Sequence, residues 1–578
     1  MPACASLLTL LWISVVCAPL LAQKGTTSSP ETAAAVATAI RDWVRDYERG
    51  NLGPKGILRV GSQLQPAYVA AAKRAGRIGP DDVDRLTHLD VLQKLLFVAE
   101  TEPSPDMADA VLGLCAAGLE GSFLDFESLQ LRELGHWALM RMDHQGAWFL
   151  VLRAAAGERV PVLSDVRGEP EAPGENGLTV GPARRVAALR LLGGKGLPVF
   201  RSTLEAALTD TDPRVRLAAA ESMGQHHRPD SLRKVTAALE TERHPVVSQA
   251  LVRQLLSLLR SSPDLEPAVR QDALARAFEQ FGRSGWRTDM DLLDLVQAFP
   301  NKDAIPMLIS ALDLEQKTTH ALVDAVNKRA SPLLRDRAVT LLRAMTGALI
   351  ANNDAAAWRA FWMREQDHIV VPDTLAMNRK ETTRATFFGV PVTGGAIAFL
   401  IDTSYSMNEV VAGTSASGKR IRGAPNRLRA AKEQIVTAVQ ALPAESTFVV
   451  LTFAEKAHVW TSVPQKPTSS SLRSLTELLS RFQPNGGTNL YDGLASALQL
   501  GDQRYGEQTA TKIDELFLLS DGEPTAGDLQ DPETMLKVVR EANKYGKVRI
   551  NTVFTGTGKG GALLQRLAEE NGGVFVQR

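Results

Sequence analysis

The sequence predicts a multidomain chain in which an α-helical repeat solenoid precedes an α/β domain with a doubly wound, mostly parallel sheet. Three observations predict it. The chain has 578 residues, too many for a single hydrophobic core. A helical pattern recurs at intervals of 31 and 32 residues, starting at Pro182, Pro213 and Pro245. From residue 393 onward, apolar strand-like runs alternate with amphipathic helical stretches.

Composition is that of a globular protein, and the formal net charge is zero. That removes the basic surplus a nucleic-acid-binding surface leaves. Residues 1–22 read as a secretory signal peptide. Leu7 to Ala22 is one apolar run followed by Gln23 and Lys24, shorter than the roughly 20 residues a membrane-spanning helix needs. The leading "MPACAS" carries no Lys or Arg, so an uncleaved anchor and a lipid-anchored Cys17 are the alternatives. The expected location is the periplasm, the cell envelope or outside the cell. Cleavage would remove Cys4 and Cys17, leaving Cys115 in "VLGLCAAGL" as core filler with no disulfide partner.

Residues 23–163 read as an N-terminal helical domain, as in "ADAVLGLCAAGL" and "QGAWFLVLRAAAG". Residues 164–181, "SDVRGEPEAPGENGLTVG", are dense in Gly, Pro and Glu and form a loop or linker. Residues 182–365 hold the repeats. Proline at a first helical turn costs no hydrogen bond. The "TDTD" before Pro213 offers an N-cap and negative charge at the positive end of the helix dipole. Each unit is two amphipathic helices that bury their apolar faces only by stacking. This pattern resembles the HEAT family of helical repeats, with weaker units from Asp303 and Ser331. Their concave surface would offer a second protein a place to bind. Trp358, Phe361 and Trp362 would cap the stack or face the next domain. Residues 366–392 read as a linker ending in an extended arm, "TFFGVPV", which Pro391 confines to an edge.

In residues 393–578 the predicted strands are 396–402, 446–454, 457–460, 515–521, 549–556 and 573–577. The predicted helices are 426–442, 470–482, 489–500, 532–545 and 561–571. Strand 457–460, so soon after its neighbour, must be an antiparallel edge.

In such folds ligands bind beyond the carboxyl ends of the strands. Three polar elements fall there. The first strand ends in Asp402-Thr-Ser404-Tyr-Ser406, the loop "QPNGGTNLYDGL" presents Thr488 before a helix, and "ELFLLSDGEPT" ends its strand at Asp521. Two carboxylates and three hydroxyls are hard oxygen donors suited to Mg²⁺ or Mn²⁺ rather than Zn²⁺. The alternative is that the two aspartates only cap turns.

On these motifs, residues 393–578 resemble a von Willebrand factor type A domain with a complete metal-ion-dependent adhesion site. The family pattern, D-x-S-x-S, a distant Thr and a distant Asp, falls on Asp402, Ser404, Ser406, Thr488 and Asp521. The flanking "GGTNLYDGL" and "LLSDGEPT" match its bacterial branch. Two departures stand out. The loop "NEVVAGTSASGKRIRGAPN" is long, and the chain stops at the sixth strand, where many members add a closing helix. The "TFFGVPV" arm would then help cover that face.

Two carboxylates at most cancel a divalent ion, and hydroxyls add oxygen without charge. If either Asp acts through water, the metal keeps net positive charge. The family resemblance implies that a partner protein's Glu or Asp then supplies the outside ligand. The expected function is an exported binding, adhesion or scaffold protein. The alternatives are a metal-assisted hydrolase, for which the sequence offers no clear base, and an assembly partner of an AAA+ motor. Three other signals carry less. "GTGKGG" from Gly556 lacks the downstream acid of a dinucleotide site. His226 and His227 lack a third ligand. Lys419, Arg420 and Arg422 could steer an acidic partner.

Overall fold

The computed structural model describes residues 103–158, 180–312, 331–376 and 385–578, less 122, 125, 226–228, 351–353, 410–425, 461–462, 510 and 557, with a few positions between 37 and 45. The expectations for the signal peptide, for most of 164–181, for His226 and His227, and for Lys419, Arg420 and Arg422 lie outside these residues. Among the described residues no helix is long and apolar enough to cross a membrane.

Two compact units divide the described residues. The first contains helix α1 (Pro105–Cys115), whose Met107, Val111, Leu112 and Leu114 are buried. Arg41 donates to the Asp106 carbonyl at 2.8 Å and pairs with the Asp106 and Asp109 carboxylates at 2.7 and 3.3 Å. Cys115 is buried, as its apolar context implies. Helices α2 (Phe126–Arg141) and α3 (Gln145–Ala155) follow, the first unit taking only their residues from Leu134 to Val151.

The second unit holds the repeats and the α/β domain. The repeat helices are α4 (Pro182–Lys195), α5 (Arg201–Ala207), α6 (Pro213–Ser222), α7 (Pro229–Thr241), α8 (Pro245–Ser261) and α9 (Pro267–Phe278). Then come α10 (Trp286–Ala298), α11 (Ile305–Ser310), α12 (Pro332–Thr346) and α13 (Ala355–Glu365). Proline opens α4, α6 and α8, and Asp212 caps α6 by accepting from Arg214 N at 2.8 Å. Ser331 caps α12 in the same way at 3.2 Å. Helices α4, α6, α8, α10 and α12 pack in succession into one layer. Of these, α10 has no counterpart in the expected repeat pattern, because "WRTDMDLLDLVQA" opens on Trp rather than on Pro. Trp358 is fully buried, with the Phe361 ring 6.0 Å away edge-on, and α13 closes against α11.

The α/β domain begins with β1 (Thr386–Phe387) and β2 (Val390–Pro391), an antiparallel pair. This corrects the expected extended arm. Phe388 and Gly389 both take positive φ, 49° and 81°, the requirement of a two-residue hairpin turn. The arm does cover a sheet face. The Phe387 ring lies 5.3 Å from Phe399 and 5.7 Å from Phe517, within one apolar cluster.

The main elements follow as β3 (Ala396–Asp402), α14 (Arg427–Gln440), β4 (Thr447–Phe453), β5 (Ala457–Val459), α15 (Ser469–Arg481) and α16 (Leu490–Leu498). They continue with β6 (Glu515–Ser520), α17 (Pro532–Gly546), β7 (Arg549–Phe554), α18 (Gly560–Glu570) and β8 (Phe575–Gln577). The sheet order is β5-β4-β3-β6-β7-β8, with only β5 antiparallel. Its central strands are near-continuous apolar runs because helices cover both faces. Strand β3 lies between β4 and β6, so the chain leaves β3 toward one side and β6 toward the other. The crevice at their carboxyl ends is the topological switch point.

The opposite end of this domain rests on the first-helix layer of the repeats. The last carbonyls of α17 have no partners within the helix. Arg253 donates to Lys544 O at 3.0 Å, Gln249 to Tyr545 O at 3.4 Å and Arg287 to Gly546 O at 2.7 Å. Cations at a helix C-terminus also suit its dipole. At the centre sits Glu221 of α6, its side chain 9% exposed, bonded to Lys544, to Tyr545 Oη at 2.7 Å and to Tyr505 Oη at 2.9 Å. Burial pushes its carboxyl up, but the Lys544 and Arg190 charges outweigh that and bring it down to about 2.

Candidate metal centre

The five sequence-predicted residues come from three segments, each pinned by backbone bonds. Asp402 ends β3, and the turn after it places Ser404 and Ser406 around a short 3-10 helix, Tyr405–Asn408. Tyr405 N donates to Gly486 O at 3.1 Å and Asn485 N to Thr403 O at 2.8 Å, tying the Thr488 loop to this turn. Thr488 N donates to Thr525 Oγ1 at 2.9 Å, and Thr488 O accepts from Thr525 N at 2.9 Å. Asp521 follows β6 directly. Its carbonyl oxygen would lie 2.1 Å from a Cβ at position 556, so Gly556 is required by close approach. That accounts for the glycine at the start of "GTGKGG" without a nucleotide.

Four of the five residues form a continuous polar chain. Asp402 Oδ1 accepts from Ser404 N at 2.8 Å. Ser404 Oγ lies 3.1 Å from Ser406 Oγ, which donates to Asp521 Oδ1 at 2.7 Å. Thr488 is buried at the same edge, and among the described residues its hydroxyl has no hydrogen-bond partner. Asp402 is fully buried. Burial pushes its carboxyl up to about 6; hydrogen bonds from Ser404 and Ser520 oppose this, and the Asp521 charge adds to it. A buried carboxylate raised in this way is favoured in its charged form by a cation beside it.

Sequence reasoning missed three residues. Ser520 Oγ donates to Asp402 Oδ2 at 2.6 Å and fixes that carboxylate from β6. Thr525 anchors the Thr488 loop. Both lie inside the quoted "LLSDGEPT", where a hydroxyl at the end of an apolar strand was the available signal. The third, Arg427, starts α14 and reaches Asp521 Oδ2 at 2.6 Å. A cation at a helix N-terminus runs against the dipole, and that local conflict was its signal. Of the side chains beside the site, Tyr405 is exposed and Glu409 is paired with Arg427 at 3.0 Å. Among the described residues no group of three or more His, Cys, Asp or Glu could hold a metal ion.

Comparison with known proteins agrees with this architecture. A family profile described as von Willebrand factor type A domain matches residues 396–576, and one described as HEAT repeats matches residues 182–256. Inter alpha-trypsin inhibitor, heavy chain 4, of Mus musculus is 27% identical over 187 residues, 32% of this chain and 18% of that protein. Inter-alpha-trypsin inhibitor heavy chain H4 of Homo sapiens is 26% identical over 180 residues, 31% of this chain and 17% of that protein. This chain therefore spans less than a fifth of the length of either relative. A von Willebrand factor type A structure from Catenulispora acidiphila aligns over 32% of this chain and 38% of its own, at 22% identity and a TM-score of 0.24. The chain thus carries HEAT repeats in residues 182–256 and, after them, a von Willebrand factor type A domain in residues 396–576.

Proposed function

We propose that this is an exported binding, adhesion or scaffold protein whose α/β domain holds Mg²⁺, or Mn²⁺, and through it binds an acidic side chain of a partner protein. The observation that carries the reading is the polar chain from Asp402 through Ser404 and Ser406 to Asp521, ending a buried strand at the switch point. Asp402, Ser404, Ser406, Thr488 and Asp521 would hold the ion. Their donors are all hard oxygens, which fits a divalent cation of this class. When bound, the ion supplies a positive centre able to take a carboxylate oxygen from outside.

The chain's own residues do the rest. Ser520 and the Ser404 amide orient Asp402, and the Gly486 and Asn485 backbone holds the serine turn against the Thr488 loop. Tyr405, 69% exposed between the two serines, offers an aromatic contact beside the site. The repeats support the far end of the domain, so the carboxyl edge of the sheet is directed away from them. The first-helix layer is occupied there, and a second protein would use the remaining repeat surface. The von Willebrand factor type A and HEAT assignments support a protein-interaction role.

The test is retention of envelope proteins on the immobilised chain with Mg²⁺ or with EDTA, beside Asp521→Ala. Chelation and the substitution are each expected to release the same partners. Retention unchanged by both would reject metal-dependent recognition.

A further inference from the structure

We propose that Arg427 is a built-in cation that keeps the loaded site net positive and so makes it select an anionic ligand; the inference rests on the metal-binding reading above. Arg427 is 8% exposed. Its Nη1 lies 2.6 Å from Asp521 Oδ2, 3.0 Å from Glu409 Oε2 and 3.3 Å from Ser406 O. The other Asp521 oxygen is taken by Ser406 Oγ at 2.7 Å. Asp521 is therefore shared between the serine turn and a guanidinium.

Charge counting gives the consequence. Asp402 and Asp521 alone would cancel a divalent ion. Arg427 cancels one of them beforehand, so a divalent ion leaves the site one positive charge in excess. Glu409 offsets that charge only in part, because its side chain is 67% exposed and an exposed partner in high-dielectric surroundings contributes little. The surplus sits at a crevice rim, where low-dielectric walls focus it outward. An outside carboxylate completes the charge balance as well as the coordination.

A purely anchoring role for Arg427 makes the opposite prediction. Its backbone N–H donates to Glu409 O at 2.9 Å, which already ties the start of α14 to the serine turn. If the guanidinium only positioned Asp521, its loss would weaken metal binding. If its charge matters, its loss strengthens metal binding, since a unit charge a few ångströms away at a half-screened rim shifts divalent affinity by on the order of tenfold.

The experiment titrates Mn²⁺ into the full chain, followed by water-proton relaxation, with and without excess acetate. Arg427→Gln is expected to bind Mn²⁺ about tenfold tighter than the wild type. Acetate should tighten Mn²⁺ binding in the wild type and do so less in Arg427→Gln, as reciprocal linkage requires. Arg427→Lys keeps the charge and should stay within about twofold of the wild type. Equal or weaker Mn²⁺ binding by Arg427→Gln overturns the proposal. If that variant does not fold, a folded Arg427→Lys with affinity shifted about tenfold also overturns it. No uptake by the wild type would instead defeat the metal reading itself.

Discussion

Asp402→Asn is expected to make the metal-free protein more stable while abolishing its stabilisation by Mg²⁺. The Asp402 carboxyl is pushed up to about 6 by burial, from an ordinary value of 3.8. The folded state thus holds this proton more tightly than the unfolded chain. Stability from this group is present at low pH and declines as pH rises through the window from about 4 to about 6. At neutral pH the buried charge costs up to about 3 kcal/mol. Asparagine keeps the shape and can still accept from the Ser404 amide, while Ser520 Oγ can reverse its role toward the side-chain amide. It removes the charge. Scanning calorimetry at neutral pH with EDTA should show a higher melting temperature for Asp402→Asn than for the wild type. With Mg²⁺ only the wild type should rise. A variant that melts lower than the wild type in EDTA, or that still responds to Mg²⁺, would contradict this.

The second large effect lies at the opposite end of the domain. Glu221→Gln should destabilise the assembled repeats and α/β domain by about 2 kcal/mol, because removing one charge of a largely enclosed ion pair leaves Lys544, its side chain 25% exposed, without its partner. The carboxyl is held down at about 2 despite burial, by Lys544 and Arg190. A depressed carboxyl contributes stability above its unfolded value near 4.5, and that contribution is lost as pH falls toward 2. Urea titration at neutral pH measures the effect, and the difference from wild type should shrink on acidification. A neutral-pH change below about 0.5 kcal/mol, typical of surface substitutions, would mean the cluster does not hold the two parts together.

The sheet was legible because β3, β4 and β6 are distinct apolar runs, and β3 and β6 both run into an aspartate. The observed strands and helices of the α/β domain fall within about three residues of the predicted bounds, the scatter expected of boundaries. Asp402, Ser404 and Ser406 stood out because three small oxygen-bearing side chains follow an apolar run at alternate positions, although the structure places both serines in the turn after β3 rather than on the strand. Thr488 and Asp521 needed the fold class first, since only the switch-point rule brings three distant segments together. The hairpin at 386–391 was not legible, because Phe388 carries a positive φ that side-chain type does not announce. Glu221 was hidden for another reason. Its partner Lys544 lies 323 residues away, and both read as solvated charges on amphipathic helices. Arg427 was passed over because the metal motif makes no demand at its position.

The most direct test of the central claim is calorimetric titration of Mg²⁺ into the chelator-stripped full chain. The polar chain at the sheet's carboxyl edge predicts uptake of a single ion, with the heat lost in Asp521→Ala. No measurable uptake of either Mg²⁺ or Mn²⁺ by the wild type would contradict it.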